Sequence, residues 1–171
     1  MTYSSGLFSS PEISLSQAQQ AKYQRMAHIA DIQDGHQVVE IGTGWGGFAV
    51  YLAENHDVEV TTTTISDAQF NYAEALIRSR GLEHRINLLR QDYREVSGTF
   101  DRLVSVEMIE AVGHEHLPSY FQAIDRLLKA DGQASIQAIT MPLHKYKAYL
   151  GNTDFIRRYV FPGSCLSLIH I

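Results

Sequence analysis

Short apolar runs alternate with helix-patterned stretches along most of this chain, and that alternation leaves few folds open. Segments 37–41, 58–62, 86–89, 100–106 and 133–140 each read as a strand. Between them, apolar residues recur at three- and four-residue spacing: Phe48, Tyr51 and Leu52, then Phe70, Ala73 and Ile77, then Phe121, Ile124, Leu127 and Leu128. Strands that alternate with helices pair in parallel through right-handed crossovers and are covered on both faces. The expected fold is therefore α/β, a Rossmann-like and mostly parallel sheet. Residues 1–13 read as an extended arm. Ser14 with Gln17, and Ser66 with Gln69, have capping-box spacing and mark helix starts. In the first helix Leu15, Ala18, Met26 and Ile29 are expected to share the buried face. Gly81 is placed to stop the third helix, and Asp131-Gly132 to end the last one.

A length of 171 residues favours one domain. The net charge of −5, with no basic stripe, argues against a nucleic-acid partner and offers no pull toward an anionic membrane. Cys165 is the one cysteine, so no internal disulfide forms, which fits a reducing cytoplasm. No run is long enough to span a bilayer, and the first residues lack a signal-peptide pattern.

In parallel sheets ligands bind beyond the carboxyl ends of the strands, so chemistry is expected at 42–47, 62–69, 91–94 and 107–113. Gly42, Gly44 and Gly47 have G-x-G-x-x-G spacing, which suits a turn that lets backbone approach a nucleotide. Two features disfavour NAD. Glu40, at the end of the first strand, would repel a pyrophosphate but suits a cationic ligand bearing an amine, such as S-adenosylmethionine. The second strand also lacks the ribose-clamping acid expected about 20 residues on; it offers Thr64, Ser66 and Gln69 as neutral ribose partners, of which Ser66 and Gln69 serve equally well as helix caps. Gln91, Asp92 and Tyr93 read either as an adenine site, with an acceptor and a ring, or as a surface loop. His114 and His116 lack metal-site spacing and read as a solvated loop, Arg157 and Arg158 as a solvated helix face, and Trp45 as packing bulk.

The run 39–48, Val-Glu-Ile-Gly-Thr-Gly-Trp-Gly-Gly-Phe, resembles the first motif of the cyclopropane-fatty-acid synthases, a family of S-adenosylmethionine-dependent methyltransferases, with Thr43 in place of a cysteine. Thr64-Ile-Ser-x-x-Gln69, Gln91-Asp-Tyr93, the stretch 100–105, Ile109-Glu-Ala-Val-Gly113 and the segment 154–163 resemble further family motifs, in the family's order. The resemblance implies methyl transfer to a cis double bond of a phospholipid acyl chain, followed by proton loss and ring closure, with a bound bicarbonate as base. It implies cofactor contacts from Tyr3 and Ser4 of an arm folded over the cofactor, from Glu40, Gly42, Gly44, Trp45 and Gly46, and from Thr64, Gln69, Asp92 and Tyr93. It places Glu110, Ile139, Gln137 and Ser5 around the base. The last two replace histidine and cysteine, so ring formation and simple methylation both stay open. Glu107 competes with Glu110 as the important acid. An amine-directed or other acyl methyltransferase and a non-catalytic nucleotide-binding module are the competing functions.

Family members of this kind carry two further strands and C-terminal helices that wall the acyl pocket. The expectation is thus an incomplete domain over 1–165, with a bare sheet edge, little activity and a tendency to aggregate. Residues 166–171 match the in-frame translation of a transposon end used in sequencing libraries and are expected to be foreign. The protein is expected in the cytoplasm, with peripheral contact to the inner face of the membrane.

Overall fold

The structure, a computed structural model, describes residues 2–153, 155–160 and 162–169. Helix α1 (Leu15–Ile29) leads into β1 (Gln37–Ile41), α2 (Gly47–Asn55), β2 (Glu59–Thr63), α3 (Asp67–Ser79), β3 (Ile86–Leu89) and β4 (Phe100–Val106). The short α4 (Ile109–Val112), α5 (Leu117–Leu127), β5 (Leu128–Gln137), β6 (Thr140–Pro142), α6 (Leu143–Gly151) and β7 (Ser167–Ile169) follow. Five strands form one sheet in the order β3-β2-β1-β4-β5, and every pairing is parallel. This is the expected Rossmann-like arrangement.

Alternation along the strands splits the core in two. Val38, Val60, Ile86 and Val104 face α1 and α2 and pack with Tyr23, Met26, Phe48 and Leu52. Val39, Ile41 and Leu103 face the other way, onto Tyr120, Ile124 and Leu127 of α5. Glu40 shares its face with Val38, so it points toward α1, and its register partner on β2 is Thr62. That parity decides the surroundings of the site.

Several expectations need correction. Leu15 and Ile29 are exposed, at 59% and 50%. The buried stripe of α1 is Ala18, Gln19, Lys22, Tyr23, Met26 and Ala27, so two polar side chains lie where an apolar pattern was sought. Strand β2 begins at Glu59 and ends at Thr63, one residue later than expected. Phe121 is half-exposed, and α5 stops at Leu127. Leu128 already pairs with Phe100, while Gln133 pairs with Arg102, so the Asp131-Gly132 turn is a bulge within β5. Strand β5 ends at Gln137, and Thr140 belongs to a separate two-stranded sheet in which β6 pairs with β7. That second sheet draws in residues 167–169, from the stretch expected to be foreign. His170 and Ile171, and Asp154 and Phe161 of the family segment, lie outside the described residues. The Ser14 capping box is complete. At Ser66 only half forms: Ser66 Oγ accepts from the Gln69 amide, while the Gln69 side chain turns elsewhere.

Gly46 carries a testable stability consequence. It caps α2 with φ +82°, and a Cβ there would meet Ala73 Cβ of α3 at 3.0 Å. Left-handed backbone costs a non-glycine residue about 1–2 kcal/mol and overpacking about 1–3 kcal/mol more. Gly46→Ala is expected to lower the stability measured in urea by about 2–5 kcal/mol, and an unchanged midpoint would refute this.

Candidate active site

The chain runs from β1 outward to β2 and β3, then returns to place β4 on the other side of β1. The crevice between the ends of β1 and β4 is thus the topological switch point, where ligands bind in such sheets. Gly42, just past β1, and Glu107, just past β4, stand on its two sides. A cavity opens there, lined by Thr2, Tyr3, Ser4, Tyr23, Glu40, Gly42, Thr43, Gly44, Trp45 and Val106, among others.

Glu40 forms its floor. It is 2% exposed, and Thr62 Oγ1 donates to its Oε2 at 2.6 Å. The Thr43 and Thr62 hydroxyls are 2.7 Å apart, so Thr43 in place of the family's cysteine extends the chain of hydroxyls. Burial pushes the Glu40 carboxyl up to about 8, against the Thr62 hydrogen bond and the nearby Lys22 ammonium. A buried acid held this way gains from a cation delivered to it.

The arm closes the cavity from above. Tyr3 OH accepts from Gln69 Nε2 at 3.3 Å, and Thr64 Oγ1 donates to Gln69 Oε1 at 2.9 Å. Thr64 and Gln69 are thus tied to the arm and do not themselves line the cavity. The free space beneath the arm is about 50 Å³.

A second cluster lies at the ends of β4 and β5. Glu107 has φ +48°, a left-handed conformation rare for glutamate and typical of functional sites. Its Oε1 accepts from the Ser5 amide at 2.9 Å and from Gln137 Nε2 at 2.8 Å. Glu110 Oε1 accepts from the Ile139 amide, and its Oε2 is buried without a partner. Burial raises the Glu110 carboxyl, Glu107 adds to the rise, and the Ile139 amide opposes it. Glu107 thus joins Ser5 to Gln137, and Glu110 joins Ile139 in a neighbouring pair at the same strand ends.

Other expected residues stand apart. Gly46 packs on α3 and does not line the cavity. Asp92 caps the turn 93–95 and pairs with Arg94 at 2.6 Å, which holds its carboxyl below the usual range. The Tyr93 ring meets Tyr120 edge-on at 5.7 Å. Neither reaches the cavity in this arrangement. Trp45 packs edge-on against Tyr72 and also lines the cavity, so it is more than packing bulk. Two surface readings change. His114 Nδ1 lies 2.7 Å from the Tyr146 hydroxyl. Arg157 is no solvated group: its guanidinium donates to the Tyr149 and Ser164 carbonyls and lies over the Tyr149 ring. Cys165 is buried, and its amide donates to the Glu110 carbonyl.

Sequence reasoning missed Gln19 and Lys22, which hold the arm from α1. Their signal was present: two polar residues three apart on the stripe of Ala18 and Met26.

Comparison with known proteins places this geometry. Residues 1–171 match the family described as mycolic acid cyclopropane synthetase. The chain is 39% identical over 97% of its length to the tuberculostearic acid methyltransferase UfaA1 of Mycobacterium tuberculosis, of which it covers 40%. It is 40% identical over 89% of its length to the cyclopropane-fatty-acyl-phospholipid synthase of Escherichia coli, of which it covers 38%. The chain thus spans about two fifths of the length of these relatives. The crystal structure of the mycolic acid cyclopropane synthase CmaA1 complexed with SAH and CTAB superposes with a TM-score of 0.87 at 28% identity, covering 98% of this chain and 62% of that one. On the family match and these identities, the chain belongs to the mycolic acid cyclopropane synthetase family.

Proposed function

We propose that the chain is the S-adenosylmethionine-binding part of a C-methyltransferase that adds a methylene across a cis double bond of a phospholipid acyl chain. One observation carries this reading: a buried acid with a raised pKa lies under the glycine turn, beside a second acid cluster at the neighbouring strand end. The relative complexed with SAH and the relatives named for acyl substrates support it.

The residues suit the cofactor. Glu40 takes the α-ammonium of the amino-acid end, and the glycine turn allows close approach. Tyr3 and Ser4 line the site, and water displaced by the bound cofactor strengthens every charge interaction inside. The bound cofactor supplies an electrophilic methyl group. An alkene is a weak nucleophile, so alignment carries much of the acceleration. A proton must then leave the methylated chain. Glu110 is placed to handle it, with one oxygen fixed by Ile139 and the other without a partner. Two of the donors expected for bicarbonate are engaged within the protein, Gln137 on Glu107 and the Ile139 amide on Glu110. The proton is assigned to Glu110, whose second oxygen has no partner, and dependence on bicarbonate is the outcome that would reassign it.

The relative named for tuberculostearic acid, together with Gln137 and Ser5, favours a second reading, methylation of an acyl chain without ring closure. No helix among the described residues is long and apolar enough to cross a membrane. Peripheral contact with the inner face of a bilayer is proposed because a relative is named for a phospholipid substrate.

The test is lipid mass spectrometry after incubating the full-length protein with S-adenosylmethionine and monounsaturated phospholipid vesicles. A gain of one CH₂ with loss of the ozone-cleavable double bond is expected. A gain with the double bond retained supports the second reading. Methylated amines, or cofactor uptake with no lipid product, would overturn both.

A further inference from the structure

The N-terminal arm is fastened along α1 at successive residues. Thr2 Oγ1 lies 3.0 Å from Tyr23 OH, and the Leu7 amide donates to the Ala18 carbonyl at 3.0 Å. Between them Ser4 is gripped twice. Gln19 Nε2 donates to its carbonyl at 2.7 Å, and Lys22 Nζ donates to its hydroxyl at 2.6 Å. Gln19 and Lys22 stand three residues apart on one helix face, so both reach the same arm residue. Gly6 lies flush on the helix, where a Cβ would meet Ala18 Cβ at 3.0 Å.

A lysine that is only 3% exposed is unusual. Lys22 sits near both acids of the site, Glu107 and Glu40, and burial lowers its pKa to about 8 against their attraction. Closing the arm removes water from its ammonium and replaces it with the Ser4 hydroxyl. Lifting the arm returns that water. The hydrogen bond to Ser4 thus offsets part of the cost of burying the ammonium. The arm lies on the wall of the cavity through Thr2, Tyr3 and Ser4, so its hold on α1 bears on access to the site.

We propose that Gln19 and Lys22 are positioning residues that form a latch, holding the arm through Ser4 over the cavity and setting how tightly and how long the cofactor is retained. The proposal rests on reading the cavity as a cofactor site. It can nevertheless be tested in part without that reading, because the latch acts on the arm itself.

Hydrogen exchange at the Ser5 and Leu7 amides reports the arm in the ligand-free full-length protein, with Val39 and Leu103 amides as core controls. Ser4→Ala and Lys22→Met are each expected to speed exchange at Ser5 and Leu7 by about tenfold or more, with the core unchanged. Ser4→Thr, which keeps the hydroxyl, is expected to restore protection. Should Lys22→Met loosen the core as well, Ser4→Ala decides alone, since it alters only the arm. Wild-type protection of Ser5 and Leu7 in Ser4→Ala overturns the latch.

Fluorescence of Trp45, the single tryptophan and part of the cavity wall, reports cofactor release. Dissociation of S-adenosylmethionine is expected to accelerate about tenfold in both variants. An unchanged release rate despite a loosened arm would overturn the retention role. Failure of the wild-type protein to take up S-adenosylmethionine would instead remove the cofactor reading, and the exchange data would still decide the latch.

Discussion

Replacing Glu110 with glutamine is expected to cut turnover by roughly 10²–10⁴-fold, the usual worth of a positioned acid or base, while cofactor affinity holds. Glutamine preserves the shape and still accepts the Ile139 amide through its oxygen. It removes a carboxylate whose second oxygen is buried and unpartnered. Glu110 does not line the glycine cavity, so a dissociation constant for S-adenosylmethionine within a factor of two of wild type is the control. Burial raises this carboxyl above its ordinary range. A base works when ionised, so kcat of the wild type is expected to climb with pH through that raised value, and Glu110→Gln is expected to lose the limb. Full turnover in Glu110→Gln that disappears in bicarbonate-free buffer would move the proton-accepting role from the side chain to the bound anion. Full turnover in both buffers would remove Glu110 from the mechanism.

Glu40→Gln is expected to weaken S-adenosylmethionine binding by about 10–100-fold, corresponding to about 1.5–3 kcal/mol for a hydrogen bond to a charged group. The pH dependence has a definite sign. Without ligand Glu40 holds its proton up to about 8, because burial outweighs Thr62 and Lys22. A cationic ligand favours the carboxylate, so binding near neutral pH expels a proton and the apparent affinity rises with pH until about 8. Calorimetry in two buffers of different ionisation enthalpy reads that proton directly, and Glu40→Gln is expected to abolish it. The same group acts on folding. Between 4.5, its ordinary value, and about 8 the native state keeps a proton that the unfolded chain has lost. Its contribution therefore makes stability fall as pH rises through that window, and Glu40→Gln is expected to flatten the slope. Proton-neutral binding by the wild-type protein would mean that Glu40 does not meet the positive end of the ligand. Tight NADH uptake with indifference to S-adenosylmethionine would take the cofactor assignment down with it.

Much of this was readable from the chain, for a local reason. Period-two and period-3.6 patterns are set by which side chains must leave water, so β1, β3 and β4 emerged at their observed bounds. Gly42, Gly44 and Glu40 were visible because a strand-to-helix turn under an acid is written in consecutive residues. Boundaries failed where long-range pairing overrode local pattern. Leu128 continues the apolar rhythm of α5, yet it pairs with Phe100 and becomes strand.

The sequence by itself determined the α/β class, the position of the nucleotide turn and the acids that flank it, because each depends on neighbours in the chain. Only the tertiary structure decided that Glu107 gathers Ser5 and Gln137, and that Lys22 and Gln19 grip Ser4. Those contacts join residues 15 to 102 positions apart. They exist because the sheet order sets the ends of β1, β4 and β5 side by side, with α1 across their face.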